Sequence, residues 1–371
     1  MSSSDPRHLS EPPPAWVTWF PRRGGASILA TFLIAAAAGA LFQWLGVPLP
    51  WMLGPLAVCA AGALAGLPMR GVPQGREVGQ IFVGLAIGLR LTPEVLGSTL
   101  ALVPHMALAT AYVICVTTAA AFLLRPLAGV DGRTAFFATA AAGMADMAIV
   151  AKRYNGRSDA VAVVQATRVA FIVVTVPLLV FFFGRDGGIE SPTTLRVAGP
   201  FELGFLLVLG TIGVHAVRPL GIPNPWLIGP VLVGALVASV GLLPVSVPRV
   251  FIVVAQIAIG ISLGLRFERD LILRLPRVVG GALVVSALLV VVAAAGAWTL
   301  ETVADVPFST GFLALAPAGV TEMVITAEAM HLDTALVTAF HVMRIAVIAS
   351  SILVVFRAYE WVDRRINGPS V

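Results

Sequence analysis

Val78 to Leu91 reads VGQIFVGLAIGLRL, and Val254 to Phe267 reads VAQIAIGISLGLRF. The Gln, both glycines of a GxxxG and a Leu-Arg step return in register 176 residues later. Two further stretches repeat at nearly the same offset. Pro50-Trp51-Met52-Leu53-Gly54-Pro55 returns as Pro225-Trp226-Leu227-Ile228-Gly229-Pro230, and Ala141 to Ile149 (AAGMADMAI) returns as Pro317 to Ile325 (PAGVTEMVI). Three matches in order define a tandem duplication. In an apolar chain, duplication is the sequence mark of folds that build a ligand site where two repeats meet.

Composition places the duplicated chain in a bilayer. Of 371 residues, 58% are hydrophobic and 12% charged, and the mean hydropathy is +0.95, which excludes an ordinary soluble domain. The net charge is +5, with its cations in short segments between apolar runs. That pattern orients a protein in a membrane and gives no surface for nucleic acid. Cys59 and Cys115 both fall inside apolar runs, where a thiol behaves as a small hydrophobe.

Residues 1–25 are polar and proline-rich and predict a disordered cytoplasmic N-terminus, with Arg22 and Arg23 preceding an uncut first helix. Residues 26–184 form the first membrane repeat, 185–199 (RDGGIESPTTLRVAG) a polar linker, 200–357 the second repeat and 358–371 a cytoplasmic tail. Runs near the 20 residues a spanning helix needs lie at 26–45, 50–67, 95–123 and 160–184, and again at 200–217, 225–243, 278–300 and 334–356. Shorter segments pair 77–90 with 253–266, and 134–151 with 309–327.

Arginine positions set the expected topology. With Arg22 and Arg23 inside, and with 134–151 and 309–327 re-entrant or broken, Arg70, Arg76, Arg125, Arg133, Lys152, Arg153 and Arg157 fall inside. So do Arg266, Arg269, Arg274, Arg277, Arg364 and Arg365, while Glu301, Asp305, Glu328 and Asp333 fall outside; Arg90 and Arg249 are exceptions. The expectation is an all-α polytopic protein of two inverted halves, each with about five spanning helices and one re-entrant or broken helix, in a bacterial inner membrane with both termini cytoplasmic.

Asp146 and Glu322 sit in the middle of the broken segments, after Ala-Gly pairs. A carboxylate at that depth costs a few kcal/mol unless it faces a polar cavity or a cation, and irregular backbone there has the same need. Arg168 and Arg344 follow their acids by 22 residues. One reading is a pocket in which the arginines hold an anion while the acids bind a proton or sodium ion. The other is a pair of neutralising bridges, Asp146 with Arg168 and Glu322 with Arg344. His341, which replaces Gln165 of the first half, is either a proton carrier or a hydrogen-bonded core residue. Gln80 and Gln256 are candidates to line the same cavity. Gly84, Gly88, Gly260 and Gly264 are read as helix-packing positions, and Arg90 and Arg266 as interface anchors.

Five scattered histidines give no pair at metal-ligand spacing on one helix, and there is no phosphate loop or nucleophile elbow, so the expectation is neither an enzyme nor a cofactor protein. The paired Pro-Trp-x-x-Gly-Pro, Gln-x-x-x-Gly-x-x-x-Gly-Leu-Arg and Ala-Gly-x-x-Asp/Glu-Met motifs, over about residues 26–357, resemble the AbrB family of bacterial inner-membrane proteins, built from an AbrB duplication domain. Members carry labels as regulators of gene expression or as ammonia monooxygenases, and the resemblance brings no substrate with it. The expected function is secondary transport of a small charged solute by alternating access. The alternatives are a membrane ligand sensor acting through a partner and, third, a membrane enzyme. The expected partners are the lipid bilayer, a small molecule or ion and a second copy of the chain.

Overall fold

The computed structural model describes residues 24–184, 196–222 and 224–367. Residues 1–23 of the expected N-terminal segment and most of the expected linker lie outside the described residues, while Gly24 and Gly25 already belong to a helix and the expected tail is helical from 358 to 367. Each repeat contributes eight helices. The first half supplies α1 (Gly24–Trp44), α2 (Pro50–Leu64), α3 (Gly75–Gly88), α4 (Pro93–Ala101), α5 (Val103–Ala128), α6 (Gly132–Thr139), α7 (Met144–Arg153) and α8 (Ser158–Phe183). The second supplies α9 (Pro200–Val217), α10 (Pro225–Ser239), α11 (Arg249–Gly264), α12 (Arg269–Arg274), α13 (Pro276–Ala304), α14 (Phe308–Leu315), α15 (Val320–Ala329) and α16 (Thr334–Asn367). Two two-residue strands, β1 (Arg196–Val197) and β2 (Val245–Ser246), pair in parallel. The chain is thus an all-α polytopic membrane protein, with seven helical stretches among the described residues long and apolar enough to cross a bilayer.

The helix ends show where sequence and structure part. The runs at 50–67 and 225–243, expected to span, give helices of only 15 residues, about 22 Å and short of a hydrocarbon core of about 30 Å. Gly66 and Gly241 take left-handed backbone (φ 79° and 66°) just past each helix, and Pro68 and Pro244 bar its continuation. The run at 95–123 is divided at Leu102 into α4 and α5, beside Pro104. Both segments expected to be broken are broken. Backbone between α6 and α7, at Ala140–Gly143, and between α14 and α15, at Ala316–Gly319, leaves the helix at the Ala-Gly pairs.

The repeats are not the packing units. α2 packs on α1 and on α11 of the other half, and α3 packs on α10 and α11. These helices, with α9, form one bundle, and α5 to α8 with α13 to α16 form a second; α4 and α12 are connectors lying against the second. The GxxxG segments of α3 and α11 are what mate with the Pro-Trp-x-x-Gly-Pro helices. A Cβ on Gly88 would stand 2.4 Å from the Val231 carbonyl oxygen and 2.8 Å from the Gly234 Cα, and one on Gly264 would stand 2.7 Å from the Leu56 oxygen. Only hydrogen fits between these backbones. Gly88→Ala and Gly264→Ala are each expected to cost about 1–3 kcal/mol in overpacking. Gly280→Ala, whose Cβ meets nothing within 4 Å in helix α13, is expected to stabilise by about 0.5–1 kcal/mol. Thermal unfolding of the three variants in detergent measures the difference.

Two equivalent helix pairs touch across the middle of the molecule, and both run antiparallel. In α5 and α13, Arg277 donates to the carbonyls of Pro126 and Leu127 at one end, and Tyr112 donates to the Val292 carbonyl further along. In α3 and α11, Gly75 faces Ala258 while Gly79 faces Ala255. The largest apolar cluster, from Leu49 and Met52 through Ile172 and Phe312 to Ile348, runs through both bundles.

Candidate functional site

Both helix breaks open on one cavity of about 540 Å³. Its wall takes Ala142, Gly143 and Asp146 from the first break and Ala318, Gly319 and Glu322 from the second. The two acids occupy equivalent places, the third residue of α7 and of α15, where the positive end of a helix dipole favours a carboxylate. Each curls back over the glycine that starts its helix. A Cβ on Gly143 would lie 2.5 Å from Asp146 Oδ2, and one on Gly319 would lie 1.9 Å from Glu322 Oε2. Glycine at these two positions leaves room for the carboxylate.

The arginines do something the sequence did not indicate. Neither pairs with the acid 22 residues before it. Arg168 donates to the carbonyls of Thr139 (2.6 Å) and Ala140 (3.1 Å), and Arg344 to those of Ala316 (2.8 Å) and Ala318 (2.9 Å). They supply donors to carbonyls freed at the breaks, which lipid could not satisfy. The neutralising-bridge expectation is therefore corrected: the partners are backbone carbonyls.

The residues beside the arginines preserve the repeat while changing chemistry. Gln165 Nε2 donates to the Phe137 carbonyl (2.9 Å), and His341 Nε2 bonds the equivalent Leu313 carbonyl (3.0 Å). Arg344 donates to His341 Nδ1 at 2.7 Å, so Nε2 must carry the proton and the imidazole is held neutral. His341 is fully buried behind the cavity wall, where it touches the lining residue Arg344, as in the hydrogen-bonded core reading. Gln165 does line the cavity, with its Oε1 unpartnered.

Four residues that the sequence reading left out of the site belong to it. Arg76 Nη2 reaches Glu322 Oε1 at 3.2 Å, and Arg266, Asn224 and Thr321 line the same space. Arg266, expected as an interface anchor, faces the cavity. Arg76 could have been found from its position four residues before Gln80, on the same helical face. Gln80 itself stands behind the wall, donating to Thr321 Oγ1 at 2.8 Å. Gln256 is buried in α11 and is not a lining residue. Arg90, the other expected anchor, bonds Glu328 at 2.6 Å.

Four arginines thus face two carboxylates, so the wall carries a net positive charge. The Nε–H groups of Arg76, Arg168 and Arg344 have no acceptor, and Glu322 Oε2 no donor, among the described residues. Arg76, Asn224 and Arg266 come from the first bundle; Asp146, Gln165, Arg168, Thr321, Glu322 and Arg344 come from the second. Polar contacts between the bundles, among the described residues, all involve α15: Arg76–Glu322, Gln80–Thr321, Asn224–Thr321 and Arg90–Glu328. Asp146 on α7 has no such tie and is exposed to the cavity.

The family described as "Transition state regulatory protein AbrB" matches residues 51–360. The chain belongs to the AbrB family. Among AbrB-like relatives, "Uncharacterized protein YhjN" of Bacillus subtilis (strain 168) is 25% identical over 343 residues, covering 85% of this chain and 88% of that protein. "Putative regulator AbrB" of Escherichia coli (strain K12) is 26% identical over 306 residues, covering 81% and 86%. The AbrB match takes in both helix breaks and every residue named in the cavity wall.

Proposed function

We propose that this AbrB-family protein is a secondary transporter of a small anion in a bacterial plasma membrane, without a catalytic step. The carrying observation is the cavity: two helix breaks, four arginines and two acids from both repeats, with three of the arginines each keeping a buried Nε–H without an acceptor among the described residues. Half-helix N-termini facing a midplane cavity favour an anionic group, and arginine forks suit carboxylate or oxyanion geometry.

Antiparallel packing of α5 on α13 and of α3 on α11 supports an inverted relation between the halves. The moving parts in this reading are the two bundles. The second carries both breaks, and the ties on α15 close one side of the cavity while the α7 side stays free. Alternating access exchanges these states, releasing α15 and engaging α7. In this reading both termini lie on the cytoplasmic side, which the arginine distribution supports, and the described state opens inward. Asp146, with no arginine tied to it, is the group able to exchange a proton or small cation; Glu322 is occupied by Arg76.

A thermal-shift screen of the purified chain tests the site. Small carboxylates or oxyanions are expected to raise the melting temperature of the wild type. The double variant Arg76→Gln, Arg266→Gln is expected to lose the shift, because both side chains face the cavity. Stabilisation by amines alone, or an anion shift kept by the double variant, would remove the anion site from this cavity. The name of the Escherichia coli relative favours a second reading, a ligand-responsive regulator using the same cavity. Ligand binding without flux into reconstituted vesicles would select it.

A further inference from the structure

Away from the transport cavity, the end of α7, the start of α6 and the last third of α16 enclose a separate cavity of about 290 Å³. Arg133, Arg153, Arg357 and Arg364 line it, against one acid, Glu360. Glu360 Oε1 takes both Arg133 (3.2 Å) and Arg364 (3.0 Å). Arg153 and Arg357, both exposed, form no ion pair among the described residues, so the lining of four arginines and one acid carries a net charge of +3. Like charges held this close repel, and an anion between them reverses the sign of that energy.

Its position says what kind of anion. α16 is 34 residues long, about 51 Å, and must project beyond a hydrocarbon core of about 30 Å. Leu353, one turn before Arg357, and Phe356, next to it, are the apolar residues of the lining. Leu353 and Val354 also point outward, 42% and 68% exposed on a helix that lies in lipid. On the next turn Trp361 is exposed, with the Arg365 guanidinium stacked 3.8 Å over its ring, as at a membrane–water boundary. An arginine crown beside apolar lining residues at that boundary matches a phosphate group with hydrocarbon below it, and basic pockets between helix ends hold anionic headgroups in this way.

We propose that this cavity is a binding site for a phosphate-bearing anion, held by Arg153 and Arg357 with Arg133 and Arg364 flanking. The site is independent of the transport reading. It has a mechanical meaning, because Arg133 opens α6 and Arg153 closes α7, so the ligand would brace the two outer ends of the broken hairpin that carries Asp146. An anionic lipid headgroup and free phosphate share the chemistry.

The test is thermal unfolding of the full chain in neutral detergent, titrated with phosphatidylglycerol, phosphatidylcholine or inorganic phosphate. Phosphatidylglycerol or phosphate should stabilise the wild type and phosphatidylcholine should not. Arg153→Gln with Arg357→Gln should weaken the apparent affinity about tenfold, since two charge-assisted contacts are lost and no ion pair of the protein is broken. A response to phosphatidylglycerol alone identifies a lipid headgroup; a response to phosphate identifies a soluble anion; either supports the site if it depends on the pair. Arg274→Gln, at an exposed arginine of α12, is the control. If the glutamine pair folds poorly, Arg153→Lys with Arg357→Lys keeps the charge, loses the fork and should give an intermediate loss. Anion stabilisation unchanged in the altered pair, equally reduced in Arg274→Gln, or absent from the wild type would overturn the proposal.

Discussion

Arg344→Leu is expected to destabilise the protein by about 2–6 kcal/mol, the cost of leaving a buried carbonyl and a buried imidazole nitrogen without donors at about 1–3 kcal/mol each. The carbonyl is that of Ala318 and the nitrogen is His341 Nδ1, while the Ala316 carbonyl keeps the Ala318 N–H at 2.8 Å. Arg168→Leu should cause a comparable loss, because it removes the arginine donor from the Thr139 and Ala140 carbonyls and Gln165 is bonded elsewhere. Arg344→Lys should fall between the wild type and Arg344→Leu, since an ammonium can reach one carbonyl but cannot fork across the break. Melting temperature and limited proteolysis in detergent measure the order. A Leu variant as stable as the wild type, or more so, would mean that removing a buried charge outweighs the loss of its hydrogen bonds, and that the arginines are kept for the ligand.

The second large effect separates the two acids. Asp146→Asn should leave the melting temperature unchanged, because the side chain is exposed to the cavity and no arginine is tied to it. It should still reduce gradient-driven uptake by about a hundredfold, since an amide cannot exchange a proton or balance a cation. Glu322→Gln should do the reverse in part. It removes the charge that holds Arg76 across the bundle interface, at a cost of about 1–3 kcal/mol given that Arg76 is part-exposed, and it should shift the protein toward the state in which α15 is released. Purified variants in vesicles under an imposed proton or sodium gradient distinguish them. Wild-type uptake in Asp146→Asn would place coupling elsewhere.

Much of the fold was legible because a membrane chain writes its constraints into composition. The Ala-Gly pairs before Asp146 and Glu322 marked both helix breaks, since small residues and a buried acid make sense together only where backbone leaves the helix beside a cavity. The arginine count grouped loop ends correctly: Arg125 meets Asp363, Arg277 meets Pro126, and the exception Arg90 meets Glu328 on the side assigned to acids. What stayed hidden was partner choice across long separations. Arg76 and Glu322 are 246 positions apart, and no local pattern says which of many arginines will bend into the cavity. The arginines 22 residues after each acid misled because a charge pair is the simplest explanation for such spacing. The Ala-Gly pairs marked where carbonyls would be freed, but not which side chains would serve them. The two packing motifs were visible separately, but their mating across the halves depends on tertiary geometry.

That mating bears on how the chain is made. When synthesis has passed α8, the glycine stripe of α3 lacks its permanent neighbours and the short α2 has only α1, since α10 and α11 have yet to emerge. Their backbones face lipid until the later helices arrive, and the native structure closes only when the second copy threads between elements of the first. A chain that stops at the midpoint therefore leaves the faces of α2 and α3 that receive α10 and α11 unfilled. Duplication has made each copy an obligatory scaffold for the other's maturation, so neither can drift toward independence without losing its place to fold.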